Sequence, residues 1–325
     1  MANLSFKNSY VGVIVEDTAG TMQTQTIASS NNFATDVSFS VDTEIVNRNP
    51  LRKGEVMPMT PAVGSSVASM TANVEIVQKA ASGTDAQVPD CDALLKSCGF
   101  ARTQQSGAVG QIYTPAVPAV ATRYSVSVNH DANQYNLSGA LGSLSLSSEV
   151  GQPLTAACSW TGYASATNAY TAQAQVTPVY ESNQAQTFIN ATCKLYGGSG
   201  GTTIDLQSFT FDMGAELVLP TSALDASGTL DRAYLNAFSP TLSLEGYAAD
   251  HATRDELARQ IAGTVNGVYI KLGTVDGTTI ELETNNSIMS SFSTSDKNGV
   301  VGVSISMAMG SNDTAGSPPF TLTFS

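Results

Sequence analysis

Two histidines, His130 and His251, in a chain of 325 residues leave little material for general acid–base catalysis or for zinc held by imidazole. Cysteine is nearly as scarce. Cys91 and Cys98 lie seven apart on one predicted helix, about 10 Å along its axis, which is too far for a disulfide. Cys158 and Cys193 fall in predicted strands, so all four read as buried thiols. Positive charge is also short, with 14 Lys and Arg against 27 Asp and Glu and a formal net charge of −13. Affinity for a phosphate backbone comes mainly from Lys and Arg displacing counterions, so this balance argues against a grip on nucleic acid. It still lets DNA pass close by without sticking, because like charges repel over about 8–10 Å. No apolar run approaches the roughly 18 residues that span a bilayer, and Met1–Lys7 lacks the blocks of a signal peptide. A soluble protein made in the cytoplasm is expected.

Motifs of chemistry are missing as well. The chain has no CxxC, HExxH, P-loop or GxGxxG. Gly197-Gly198-Ser199-Gly200-Gly201 fits GxSxG, but a nucleophile elbow must lead from a strand into a helix. Here the β-branched run Thr202-Thr203-Ile204 follows, which predicts a hairpin loop. No catalytic residue, metal or cofactor is expected.

What the chain does contain, it contains twice. FSVDTEIV at Phe39–Val46 is echoed by FDMGAELV at Phe211–Val218. A short helix follows each. In the first, Asp90 is placed to cap, Cys91, Leu94, Leu95 and Cys98 form an apolar stripe, and Gly99 can terminate. In the second, Thr253 and Glu256 have capping-box spacing, with Leu257, Ala258 and Ile261 as the apolar side. Alternating strands close both copies, PLTAACSWTG from Pro153 and VVGVSISMAMG from Val300. Asp276-Gly277 and Asn298-Gly299 are hairpin-turn signals in the second copy.

Three similar elements in one order predict a mainly β (α+β) chain. It comprises two tandem antiparallel β-sandwich or barrel domains, each with one short flanking helix. The expected division is an N-terminal arm at 1–34, a first domain at 35–175 and a second at 176–325. The junction falls in the Ala-, Thr- and Gln-rich stretch from Ser165 to Gln186. Residues Asn47 to Ser66, with Pro50, Pro58 and Pro61, predict a long loop between strands, and long loops in compact domains are usually functional or disordered. Asp42 with Glu44, and Glu281 with Glu283, alternate along strands and so present acids on one polar face.

NRNPLRKGEVMPMTPAVG from Asn47, CDALLKSCGF from Cys91, and the alternating strand that ends in Trp160-Thr161-Gly162 together resemble major tail tube proteins of long-tailed bacteriophages, in a duplicated-domain form. The resemblance covers 35–163 directly and 204–310 through the repeat. It implies a structural virion subunit that is assembled in the host cytoplasm and ends up in the tail. Such subunits form stacked rings whose lumen holds the tape-measure protein and conducts DNA. Three chains would give a pseudo-six-fold ring, with tail terminator and tail-tip proteins as further partners. Asp42, Glu44, Glu281 and Glu283 are then candidate lumen or polar-face acids. Asn47, Pro50, Arg52, Lys53, Glu55 and Pro58 form a candidate inter-ring loop. A capsid decoration, tail-tip or other surface-binding β protein is the alternative.

Overall fold

The computed structural model describes residues 9–23, 34–48, 59–77, 88–104, 110–116, 122–130, 133–164, 169–172, 186–220, 232–250, 252–274, 278–311 and 318–325. The first half comprises β1 (Ser9–Val15), β2 (Ala34–Arg48), β3 (Met59–Glu75), α1 (Asp92–Ser97), β4 (Phe100–Gln104), β5 (Gln111–Pro115), β6 (Tyr124–His130), β7 (Asn133–Glu149), β8 (Thr155–Tyr163) and β9 (Tyr170–Ala172). The second comprises β10 (Thr192–Leu195), β11 (Thr202–Thr203), β12 (Leu206–Asp212), β13 (Ala215–Val218), β14 (Tyr234–Phe238), β15 (Thr241–Tyr247), α2 (Glu256–Ile261), β16 (Val265–Leu272), β17 (Ile280–Lys297), β18 (Val300–Met309) and β19 (Thr321–Phe324). The fold is mainly β and its strand pairs are antiparallel, as the alternation predicts.

Strand pairing runs β1-β6-β7-β8-β3-β2 in the first half and β10-β16-β17-β18-β15-β12 in the second. Register repeats along with order. The cross-strand row Phe39, Met70, Trp160, Gly142 matches Phe211, Leu242, Met307, Met289. Phe39 and Phe211 thus hold equivalent places, as the echo in the sequence implies. Even the bulges coincide. β7 gains a residue between Leu137 and Ala140, and β17 does so between Thr284 and Ser287, each four residues into its strand. β9 and β19 add to the same ends of β7 and β17.

Two seams join the halves. β12 pairs with the far end of β7, from Ser208 opposite Glu149 to Asp212 opposite Ser145, and β19 pairs with β5. One apolar core runs through both halves, because Phe211, Phe320 and Phe100 stack edge to face across the boundary. Part of the expected N-terminal arm, Ser9–Val15, is instead β1, hydrogen-bonded along its length to β6. Its apolar residues Tyr10 and Val11 are buried, which is reason enough for it to join the sheet.

The buried stripe of α1 is as expected: Cys91, Leu94, Leu95 and Cys98 face the core, and Gly99 turns the chain at φ 87°. Its first turn differs, because Cys91 rather than Asp90 occupies the cap position and caps with no side-chain bond. In α2 the cap is Asp255, whose carboxylate accepts from the Ala258 N–H at 2.9 Å, and not Thr253. Glu256 is therefore not part of a capping box. It turns inward to a buried ion pair with Arg254 at 3.3 Å. The expected apolar side of α2 points outward, with Leu257 and Ile261 exposed. Asn298 and Gly299 both take positive φ and close the β17–β18 hairpin, as a two-residue turn of this type requires. Gly198–Gly200 forms a single 3₁₀ turn between β10 and β11, a hairpin loop and not an elbow.

Candidate functional site

β2 and β3 pair from Ala34 opposite Val74 to Arg48 opposite Met59. This overturns the long loop expected over Asn47 to Ser66, since strand accounts for all but residues 49–58. Pro61 misled the reading. It sits in a bulge between the pairs Val46–Ala62 and Arg48–Met59, where no ladder N–H is called for. β8 supports β3 from Ala68 to Glu75, so beyond Ala68 the two strands pair, among the described strands, with each other. From Val41 to Arg48 the ribbon reaches roughly 23 Å past the sheet, at about 3.3 Å per residue.

This ribbon is oddly apolar for its position. Ile45 and Val63 lie directly opposite each other and are 63% and 79% exposed, and Val41 and Val46 are exposed too. A lone two-stranded ribbon is marginal in water, and such side chains would gain from a neighbour covering them. A second apolar patch lies on the other half, where Leu257 and Ile261 of α2 join exposed Val265 and Ile288. A shallow groove lined by Val265, Ile288, Ala308 and Met309 continues it.

Asp42 and Glu44 both lie on the exposed part of β2. Glu44 folds over Gly64, whose missing side chain makes the room: a Cβ there would fall 3.0 Å from the carboxylate. Glu281 and Glu283 sit elsewhere, mid-sheet on β17, opposite Lys271 and Tyr269 of β16. Lys271 Nζ meets Glu281 at 2.8 Å, so this face carries balanced charge instead of bare acid. Burial, then the nearby Glu281, drives the Tyr269 hydroxyl well above its usual range. The corresponding positions in the first half are Gln134 and Asn136, where neutral amides bond to Thr171 of β9. The four acids therefore occupy two separate surfaces. Asn47 lies at the end of β2, while Pro50, Arg52, Lys53, Glu55 and Pro58 lie outside the described residues.

Sequence reasoning missed Glu16. It is buried beside β6 and its carboxylate accepts from the N–H groups of Gly139 (2.7 Å) and Gly20 (2.6 Å) and from the Ser125 hydroxyl (2.9 Å). No local pattern announces it, because two of its three partners, Ser125 and Gly139, are more than 100 residues away in sequence. The four cysteines are free and buried, and burial pushes the Cys193 thiol up to about 12. Among the described residues no group of three or more His, Cys, Asp and Glu could hold a metal ion.

A model of the phage tail tube protein family matches residues 7–308. The chain belongs to that family. A search of curated proteins gives no match. The match takes in both halves, so the repeated pairing pattern lies within this one tail tube protein match. Membership makes the chain a structural component of the virion tail that self-assembles into a tube and meets other tail components.

Proposed function

We propose that this chain builds a hollow tail tube from stacked rings, three chains to a ring, with the two halves filling six similar positions. The halves correspond to the expected units 35–175 and 176–325, the first also holding β1. The lumen encloses the tape-measure protein and then conducts DNA, without a sequence-specific contact, during ejection. Tail terminator and tail-tip proteins close its ends. In this reading the protein performs no catalysis and needs no cofactor.

The projecting β2–β3 ribbon carries this reading. Its apolar pair Ile45 and Val63 stands clear of the sheet and exposed among the described residues, where a neighbouring subunit can cover it. The ribbon and the α2 patch differ in shape and come from different halves, which suits head-to-tail contacts rather than self-complementary ones. The acidic balance favours the conducting role, since a wall of net negative charge repels the phosphate backbone. Asp42, Glu44 and Glu283 supply such charge at the surface or on a polar face.

Electron microscopy of the purified protein tests the proposal. Stacked rings with three chains around the axis are expected. Discrete globular oligomers would overturn it and favour a capsid decoration or tail-tip protein.

A further inference from the structure

The seam between the halves is a strand pair with one side used twice in sequence but only once in space. At the seam, the far end of β7 pairs with β8 on one side and with β12 on the other. The equivalent end of β17 pairs with β18 alone among the described residues, leaving one edge open. Likewise β12 pairs with β15 and β7, whereas among the described residues its counterpart β2 pairs with β3 alone. The chain thus carries both halves of the same joint, one made and one unmade.

We infer that the open edge of β17 in one chain pairs with the open edge of β2 in a second copy, in the register of the β7–β12 seam. Equivalence fixes that register. Ser145 pairs with Asp212, Leu146 with Phe211 and Ser147 with Thr210. Cross-strand partners in β8 and β18 make Ser145, Leu146 and Ser147 equivalent to Ser293, Thr294 and Ser295. Partners in β3 and β15 make Asp212, Phe211 and Thr210 equivalent to Ser40, Phe39 and Ser38. The joint between copies therefore sets Ser293 opposite Ser40, Thr294 opposite Phe39 and Ser295 opposite Ser38.

Burial supports it. Phe211 is fully buried at the made seam, while Phe39 at the open edge is half-buried, and Leu144 is buried where its counterpart Phe292 is half-buried. Two residues past Ser295, Lys297 comes level with the β2 bulge that holds Asp36, but Lys297 already pairs with Glu245 at 3.0 Å and Asp36 accepts from Asn73 within the chain, so the joint does not rest on this pair of charges. An open edge is also an aggregation hazard, and mutual pairing removes both edges at once. The joint is heterologous, so copies joined by it continue until they close.

This inference rests on the tube reading, and the test separates the two. Ser40→Cys and Ser293→Cys are introduced together; the four native cysteines are buried and should stay silent. Directly opposed residues in an antiparallel pair have Cα atoms about 4.5–5.5 Å apart, within disulfide reach. Mild oxidation of assembled protein should deplete the monomer band in denaturing gels and yield a ladder ending in a covalently closed ring. The off-register pair Ser40→Cys with Ser291→Cys should leave mostly monomer. If the double variant does not assemble in reductant, mixing the two single variants should give dimers across chains. Rings or tubes that form without in-register cross-links, or with equal cross-linking off register, would overturn the pairing and leave the tube reading standing. A wild-type protein that forms no ring would overturn both.

Discussion

The Trp160 indole occupies the space over Gly142, the residue opposite it on β7: a Cβ on Gly142 would fall 2.6 Å from Trp160 Cδ1 and 2.9 Å from Cys98 Sγ. The indole also donates from Nε1 to Ser97 Oγ at 2.9 Å, which fixes it against α1. The second half solves the same position with two medium residues, Met289 opposite Met307. Gly142→Ala should therefore overpack the site and cost about 1–3 kcal/mol, read as a lower denaturant midpoint. Gly142→Met should cost more, and adding Trp160→Met should recover much of the loss. A double variant no more stable than Gly142→Met alone would show that the two sites are not interchangeable.

Glu16 should be a strong point in the attachment of β1. Removing its carboxylate in Glu16→Ala leaves the Gly139 and Gly20 N–H groups and the Ser125 hydroxyl without an acceptor they now share. Unsatisfied buried donors cost about 1–3 kcal/mol each, so a loss of roughly 2–4 kcal/mol is expected after partial relaxation. Hydrogen exchange should localise the effect to Ser9–Val15 and its partner β6.

Alkaline pH should destabilise the protein by ionising buried thiol and phenol groups. Burial raises the Cys193 thiol from 9.0 to about 12 and the Tyr124 hydroxyl from 10.0 to about 12. A group whose pKa is raised on folding stabilises fully below its unfolded value, and that contribution is lost as pH climbs to the folded value. Thermal midpoints should hold steady up to about pH 9 and fall between about pH 9 and 12. Below that window thiol reagents should label the native protein very slowly and the unfolded chain at once.

Val63→Asp separates folding from assembly. The residue is 79% exposed, opposite Ile45 on the ribbon, so stability should change by less than about 0.5 kcal/mol. Tube formation, followed by sedimentation, should drop sharply, because a charge would be buried between subunits. Normal tubes from this variant would remove the ribbon from the assembly contacts.

Much of this fold was legible because half-buried strands write their burial into every second residue. Met70, Ala72, Val74 and Ile76, or Val303, Ile305 and Met307, are buried as their alternation requires. The matching of Phe39 with Phe211 survived for the same reason, since both pack on the core side at one register position, Phe211 fully buried and Phe39 partly. The ribbon was not legible. Its prolines punctuate the sequence, yet Pro61 occupies a bulge, and cross-strand pairing cannot be read from one strand. The outward side of α2 was also hidden, because Leu257 and Ile261 have the spacing of a core stripe while the true inward anchor is the Arg254–Glu256 pair. Of the candidate acids, the alternation could not show Lys271 set against Glu281, because that pairing depends on the neighbouring strand.

Carrying two units on one chain changes the kinetics of growth. The β7–β12 joint forms at a local concentration set by the linker, commonly millimolar for short tethers, and is complete before any encounter between molecules. Every second joint around a ring built from such chains is thus independent of dilution. In the proposed three-chain ring, nucleation then needs fewer collisions than six separate subunits would, and the two kinds of unit are delivered in strict one-to-one supply whatever the expression level.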